Sequence, residues 1–355
     1  MIRTCGPGPV RSIRRRARDA APALMRRSLT APAAPGDARV SLDPKAQSLL
    51  DMVYRVGAPR FAQLDERQAR HSFQKLAYAF RPETPAVTSV TEVPIPRADG
   101  SVLMARLYRP IQAHAGERLP LFVFCHGGGW CIGDLESYDV FCRQIANGAA
   151  VAVLSVDYRL APEHPFPAGY LDVALAVDWS IENADLLEIE PDAVALGGDS
   201  AGGNLTLAVA LKRRDEQVLP ALKHLVLIYP CTQILSDRPS RETYGEGYFL
   251  DKDSLEWFFE RYLPGGEAAD WRASPMNAQS LAGLPPMSFV TAQCDPLTDD
   301  VAAFANRCRA EGCDVVYREF AGMVHGFAIL GGFFPQATEA VAAICTDLQA
   351  RLAQG

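Results

Sequence analysis

The stretch ALGGDSAGGN, residues 195–204, sets four glycines around Asp199 and Ser200 directly after an apolar run. Within it, Gly198-Asp199-Ser200-Ala201-Gly202 fits G-x-S-x-G between a predicted strand and a helix predicted to start near Ala201. A sharp strand-to-helix turn needs missing side chains on both sides, here Gly198 and Gly202. Such a turn lifts the Ser200 hydroxyl above the sheet edge. It also puts the Ala201 amide at a helix N-terminus, where its N–H faces developing negative charge. An ordinary tight turn can carry the same residues, so the weight of the pattern depends on its surroundings.

Those surroundings alternate regularly. The runs 121–125 (LFVFC), 151–157 (VAVLSVD), 193–198 (AVALGG), 225–230 (LVLIYP), 287–293 (MSFVTAQ) and 315–320 (VVYREF) are short and apolar, separated by helix-length stretches. That rhythm predicts an α/β fold with a mostly parallel, buried central sheet flanked by helices. Upstream, 87–96 (VTSVTEVPIP) and 102–110 (VLMARLYRP) flank the turn-like RADG and predict an antiparallel pair. From Ser41 and Asp43, two residues suited to capping, helical spacing of apolar residues predicts two or three helices to about residue 80.

A second glycine cluster, HGGGW at 126–130, follows the first apolar run. Its glycines expose successive amides, and the Gly128 and Gly129 N–H groups can join that of Ala201 as an oxyanion hole. A phosphate cradle would require a Lys-Ser/Thr pair or a dinucleotide spacing, and neither is present. His126 and Gly127 read as parts that shape this loop. A serine nucleophile also needs a base, and the chain has six histidines. His325, in GMVHGF after the sixth apolar run, falls at the sheet edge where Ser200 belongs. His71 lies in a predicted helix, His114 in a polar turn, His164 in a proline-rich loop and His224 at a strand start. For this architecture the orienting acid lies between Ser and His in chain order, and Asp295 directly ends the fifth apolar run. Asp299 and Asp300 fall a turn into the next helix, where acids favoured by the helix dipole need no further explanation.

HGGGW, GDSAGGN, DYRLAPEHPFPA (157–168), DPLTDD (295–300) and HGF (325–327) together resemble the hormone-sensitive-lipase-like branch of the α/β-hydrolases, over roughly residues 41–350. The resemblance implies an α/β-hydrolase catalytic domain at 86–355 and cap helices at 41–85, with a cap contribution from 235–265. It implies carboxylic esters of short to medium acyl chain, a Ser200–Asp295–His325 triad, an acyl-enzyme and no cofactor or metal. Asp157 and Asp199 recur in that pattern and read as architectural. Two other functions keep the same residues in play: amide or aryl-formamide hydrolysis, and non-catalytic binding of a small molecule. The second is disfavoured because His325 and Asp295 are both present. Met52, Tyr54, Phe61, Trp257 and Phe258 suit either an apolar acyl site or ordinary core, and Trp130 either wall or core.

Net charge is −7 with a pI near 5.5, which provides no basic field for nucleic acid. A small or neutral ester is the expected partner, with homo-oligomerisation left open. Nine cysteines without a CxxC read as reduced thiols in a cytoplasm-like compartment, with Cys131, near the glycine loop, as the one expected to react with alkylating agents. No apolar run approaches the roughly 18 residues of a membrane span. Residues 1–40 stand apart: the first 35 carry eight arginines and one acid. That composition fits a disordered basic tail, a targeting segment, or an upstream start with Met25 as the true one.

Overall fold

A computed structural model of the chain describes residues 41–57, 59–218, 220 and 222–353. The basic segment 1–40, with its expected tail or targeting role, lies outside them. Eight strands form one sheet: β1 (Ser89–Pro96), β2 (Val102–Arg109), β3 (Leu119–Cys125), β4 (Ala152–Val156), β5 (Ile189–Asp199), β6 (His224–Ile228), β7 (Met287–Cys294) and β8 (Val315–Val324), in the order β1-β2-β4-β3-β5-β6-β7-β8. β2 runs antiparallel to β1 and β4, and β3 to β8 are mutually parallel.

The apolar runs are what bury the parallel strands. Every residue of β4 and β6 is buried, as continuous Val/Leu/Ile runs must be when helices cover both faces of a sheet. Those helices are α1 (Pro44–Arg55), α2 (Glu66–Ala79), α3 (Asp139–Ala149), α4 (Ala168–Glu182), α5 (Ala184–Leu187), α6 (Ala201–Asp215), α7 (Pro239–Thr243), α8 (Lys252–Tyr262), α9 (Thr298–Ala310) and α10 (Pro335–Leu352). β5 begins at Ile189, upstream of its apolar run, because Ile189 pairs with Leu119 before the continuous ladder starts at Val194. Capping chemistry sets the N-terminal helices: Asp43 accepts from the Lys45 N–H at 2.8 Å, and Asp65 with Gln68 forms a reciprocal box.

Sheet register decides where the functional loops emerge. Cys125 at the end of β3 lies opposite Gly198 of β5, so the 126–130 loop and Ser200 leave neighbouring strands at one level. Cys294 lies opposite Val324, which does the same for Asp295 and His325. All four segments therefore open into the crevice at the carboxyl ends of the strands, where an open α/β sheet receives its ligands.

Candidate active site

Ser200 sits in a conformation that side chains rarely adopt, with φ 52° and ψ −115°. Its backbone is held on both sides: its N–H donates to Ile228 O at 2.8 Å, and its carbonyl accepts from the Asn204 and Cys231 N–H groups at 3.1 Å each. The turn closes only because Gly202 has no side chain, since a Cβ there would overlap the Cys125 carbonyl. Strand β5, the turn and α6 thereby present the hydroxyl upward. His325 Nε2 lies 2.9 Å from Ser200 Oγ, and His325 Nδ1 lies 2.7 Å from Asp295 Oδ2. Asp295 is itself steadied by the Leu297 N–H, which donates to Oδ1 at 2.8 Å. The structure thus joins the three residues in one hydrogen-bonded chain from buried carboxylate to partly exposed hydroxyl.

The glycine loop is oriented peptide by peptide. Gly127 O is 2.8 Å from His126 Nδ1, and Gly128 O accepts from the Cys131 and Ile132 N–H groups at 3.1 and 3.0 Å. A trans peptide places its N–H opposite its carbonyl, so tying these two carbonyls back turns the Gly128 and Gly129 N–H groups the other way. Gly128 reaches this geometry with φ 111°. Among the described residues, the N–H groups of Gly128, Gly129 and Ala201 donate to no protein acceptor. His126 is fully buried and stacked on Tyr158, with centroids 4.4 Å apart; burial pulls it down to about 4, so it stays neutral and donates from Nδ1. Asp199 is buried too, and burial pushes its carboxyl up to about 7 against the Gly127 N–H and Tyr138 hydroxyl that draw it down.

Above the serine lies an apolar cavity. Its walls come from Phe61, from Phe73 and Leu76 of α2, from Phe249, and from Leu255, Phe258 and Phe259 of α8. Trp130 forms part of the wall and is also core, stacked on Tyr262 at 4.3 Å. Among the described residues, the ionisable side chains in the lining besides buried Tyr138 and the Cys231 thiol are Asp199 and His325. No group of three or more His, Cys, Asp or Glu among the described residues has metal-binding geometry, and no helix there is long and apolar enough to cross a membrane.

A model of the α/β-hydrolase fold family matches residues 122–329. The chain is 37% identical over 320 residues to carboxylic ester hydrolase LipN of Mycobacterium tuberculosis, covering 87% of this chain and 84% of that one. It is 32% identical to ethyl acetate hydrolase of Pseudomonas putida, over 81% and 91% of the two chains. Among solved structures, ester hydrolase EH1AB1 from the Lake Arreo metagenome, complexed with a bipyridine phosphonate derivative, superposes with a TM-score of 0.84. Identity there is 35%, over 88% of this chain and 100% of that one. The chain belongs to the α/β-hydrolase family. Its motifs are those of the hormone-sensitive-lipase-like branch.

Several expectations change in detail. In this α/β-hydrolase, Phe61 and Phe258 do line the cavity, but Met52 is 46% exposed, and Tyr54 points its hydroxyl toward Asp251 at 3.4 Å. Trp257 is buried and packs edge-on to Phe258 behind the wall. Asp299 and Asp300 do more than favour a helix dipole: Asp299 accepts from the Ser240 N–H, and Asp300, fully buried, binds Ser236 and the Arg238 and Arg241 guanidinium groups, anchoring α7. Cys131 is fully buried and burial pushes its thiol up to about 12, the opposite of a reactive thiolate. Phe73, Leu76 and Phe249 escaped the sequence reading. The first two look like any core face of an amphipathic helix, and Phe249 lies in a loop with φ 77°, a backbone turn that side chains rarely adopt and that the sequence does not signal.

Proposed function

We propose that this α/β-hydrolase is a serine carboxylesterase acting on short- to medium-chain esters through an acyl-enzyme on Ser200. The observation that carries the reading is the unbroken Asp295–His325–Ser200 hydrogen-bond chain, at 2.7 and 2.9 Å, opening into an apolar cavity. His325 Nε2 takes the Ser200 proton as Oγ attacks the ester carbonyl, while Asp295 holds the imidazole and stabilises its charged form. The oxyanion forms against the Gly128, Gly129 and Ala201 N–H groups, which point to it ready-oriented. His325 then protonates the leaving alkoxide, and the same base activates the water that releases the acid. Every step uses this chain's own groups.

The apolar walls fit an acyl chain, and enclosure between α2 and α8 favours a modest length. Kinship to proteins named for carboxylic esters and for ethyl acetate supports the same substrate class. Residues 41–85, with 235–265, serve in this reading as the cap over the site. The test is hydrolysis of p-nitrophenyl esters from acetate to palmitate at pH 7.5, wild type beside Ser200→Ala. Turnover greatest on the shorter esters, and reduced more than about 10³-fold in the variant, is the expected result. Full activity in Ser200→Ala would sink the assignment of the nucleophile.

A further inference from the structure

We propose that Asp199 is a positioning residue of the oxyanion loop, acting with Tyr138 to fix the peptide between His126 and Gly127. The proposal rests on the esterase reading above. Asp199 follows the glycine of the nucleophile turn and is 2% exposed, yet it contacts none of the triad hydrogen bonds; its side chain turns to the loop. Oδ1 accepts the Gly127 N–H at 2.6 Å, and Oδ2 accepts the Tyr138 O–H at 3.1 Å. The Tyr138 oxygen is also 3.1 Å from the Gly127 nitrogen, so the amide proton is shared between carboxylate and phenol. Contact is so close that a Cβ on Gly127 would overlap the carboxyl group.

The consequence reaches the oxyanion donors through two planar peptides that share the Gly127 Cα. The first has its N–H on Asp199 and its carbonyl, His126 O, on the Tyr158 hydroxyl at 2.8 Å. The second has its carbonyl on His126 Nδ1 and carries the Gly128 N–H on its far edge. Release of the first plane leaves the second tied at one point only. A carboxylate accepts from both donors at once. An amide of the same shape that keeps the Gly127 N–H on its oxygen turns an N–H₂ to Tyr138, so the phenol must stop donating there and accept instead, which changes its hold on the Gly127 N–H. The titratable groups facing Asp199 are Cys125 at the end of β3, Tyr138 and Cys142 before and on α3, Tyr158 after β4, Tyr229 after β6 and His325 after β8. None is a permanent cation, so the Gly127 and Tyr138 hydrogen bonds lead in favouring the charged form, with a smaller pull from the His325 imidazole.

Asp199→Asn tests this by separating transition-state from ground-state effects. Expected is a 10- to 100-fold fall in kcat with KM within about twofold, and an equal loss of affinity for an alkyl boronic acid, whose tetrahedral adduct on Ser200 uses the same donors. Tyr138→Phe, which keeps the carboxylate, is expected to lose roughly 3- to 10-fold in kcat and serves if the first variant does not fold. Unchanged kcat in both variants, or a change confined to KM, overturns the proposal. Ser200→Ala runs alongside: activity surviving there overturns the esterase reading itself, whereas activity lost there with Asp199→Asn unimpaired overturns only the role of Asp199.

Discussion

A carboxyl group buried beside the nucleophile makes stability depend on pH in a direction opposite to that of most aspartates. With its pKa raised from 3.8 to about 7 by burial, folded Asp199 retains a proton that the unfolded chain releases. Between about pH 4 and 7 the folded state therefore binds more protons, and this residue's contribution falls as pH rises through that window. Asp199→Asn removes the effect. Its melting temperature relative to wild type is expected to be higher at pH 8 than at pH 5, read by calorimetry at both values; an equal difference at the two would contradict a buried, titrating carboxyl. At this scale the triad was legible because Ser200, Asp295 and His325 each stand at the end of an apolar run. The work of Asp199 was not, since its partner Gly127 is 72 residues away and the contact exists only once β3 and β5 lie side by side.

Helices that wall the cavity are fastened by a few specific ties. Arg60 Nε lies 3.2 Å from Asp251, a carboxylate that is almost wholly buried and also accepts the Gly247 N–H at 2.9 Å. Arg261 of α8 holds Glu66 of α2 at 2.8 Å, and the Phe61 and Phe258 rings meet at 5.5 Å. Removing a cation from a buried acid costs more than the pair contributes, because Asp251 then keeps only neutral donors and no counter-charge. Arg60→Ala is expected to destabilise the fold by about 1–3 kcal/mol and to raise KM for esters more than it lowers kcat. Urea titration with steady-state kinetics measures both, and an unaltered KM would mean that α8 keeps its place without this tie. The strands were legible as elements because burial on both faces demands continuous apolar runs. The cavity wall was not: Phe73 and Leu76 of α2 repeat at ordinary core spacing, and only the docking of α2 over the 126–130 loop, through Arg70 to Cys131 O at 2.9 Å, distinguishes wall from core.

At the scale of the whole molecule, two buried neutral histidines draw stability down toward acid pH. Burial pulls both His126 and His224 down to about 4 from 6.5, so between those values the unfolded chain takes up protons that the folded chain refuses. Each contributes stability that is present above about pH 6.5 and lost progressively toward pH 4. His224, far from Ser200 and bonded through Nε2 to Ser288 Oγ at 2.9 Å, isolates the effect. In His224→Gln the drop in melting temperature from pH 7 to pH 5 is expected to be smaller than in wild type, and an identical drop would contradict burial as the cause. At this scale the alternating runs made the parallel sheet legible, whereas the level at which loops emerge depends on register that no single run contains. That register carries a kinetic consequence. His325 and Ser200 meet across 125 residues of chain, and Phe61 meets Phe258 across about two hundred. Contacts so distant in sequence repay their loop-closure entropy only after most of the sheet has assembled. Turnover is accordingly a report on assembly as well as on chemistry, since it requires β3, β5, β7 and β8 to stand in register at once.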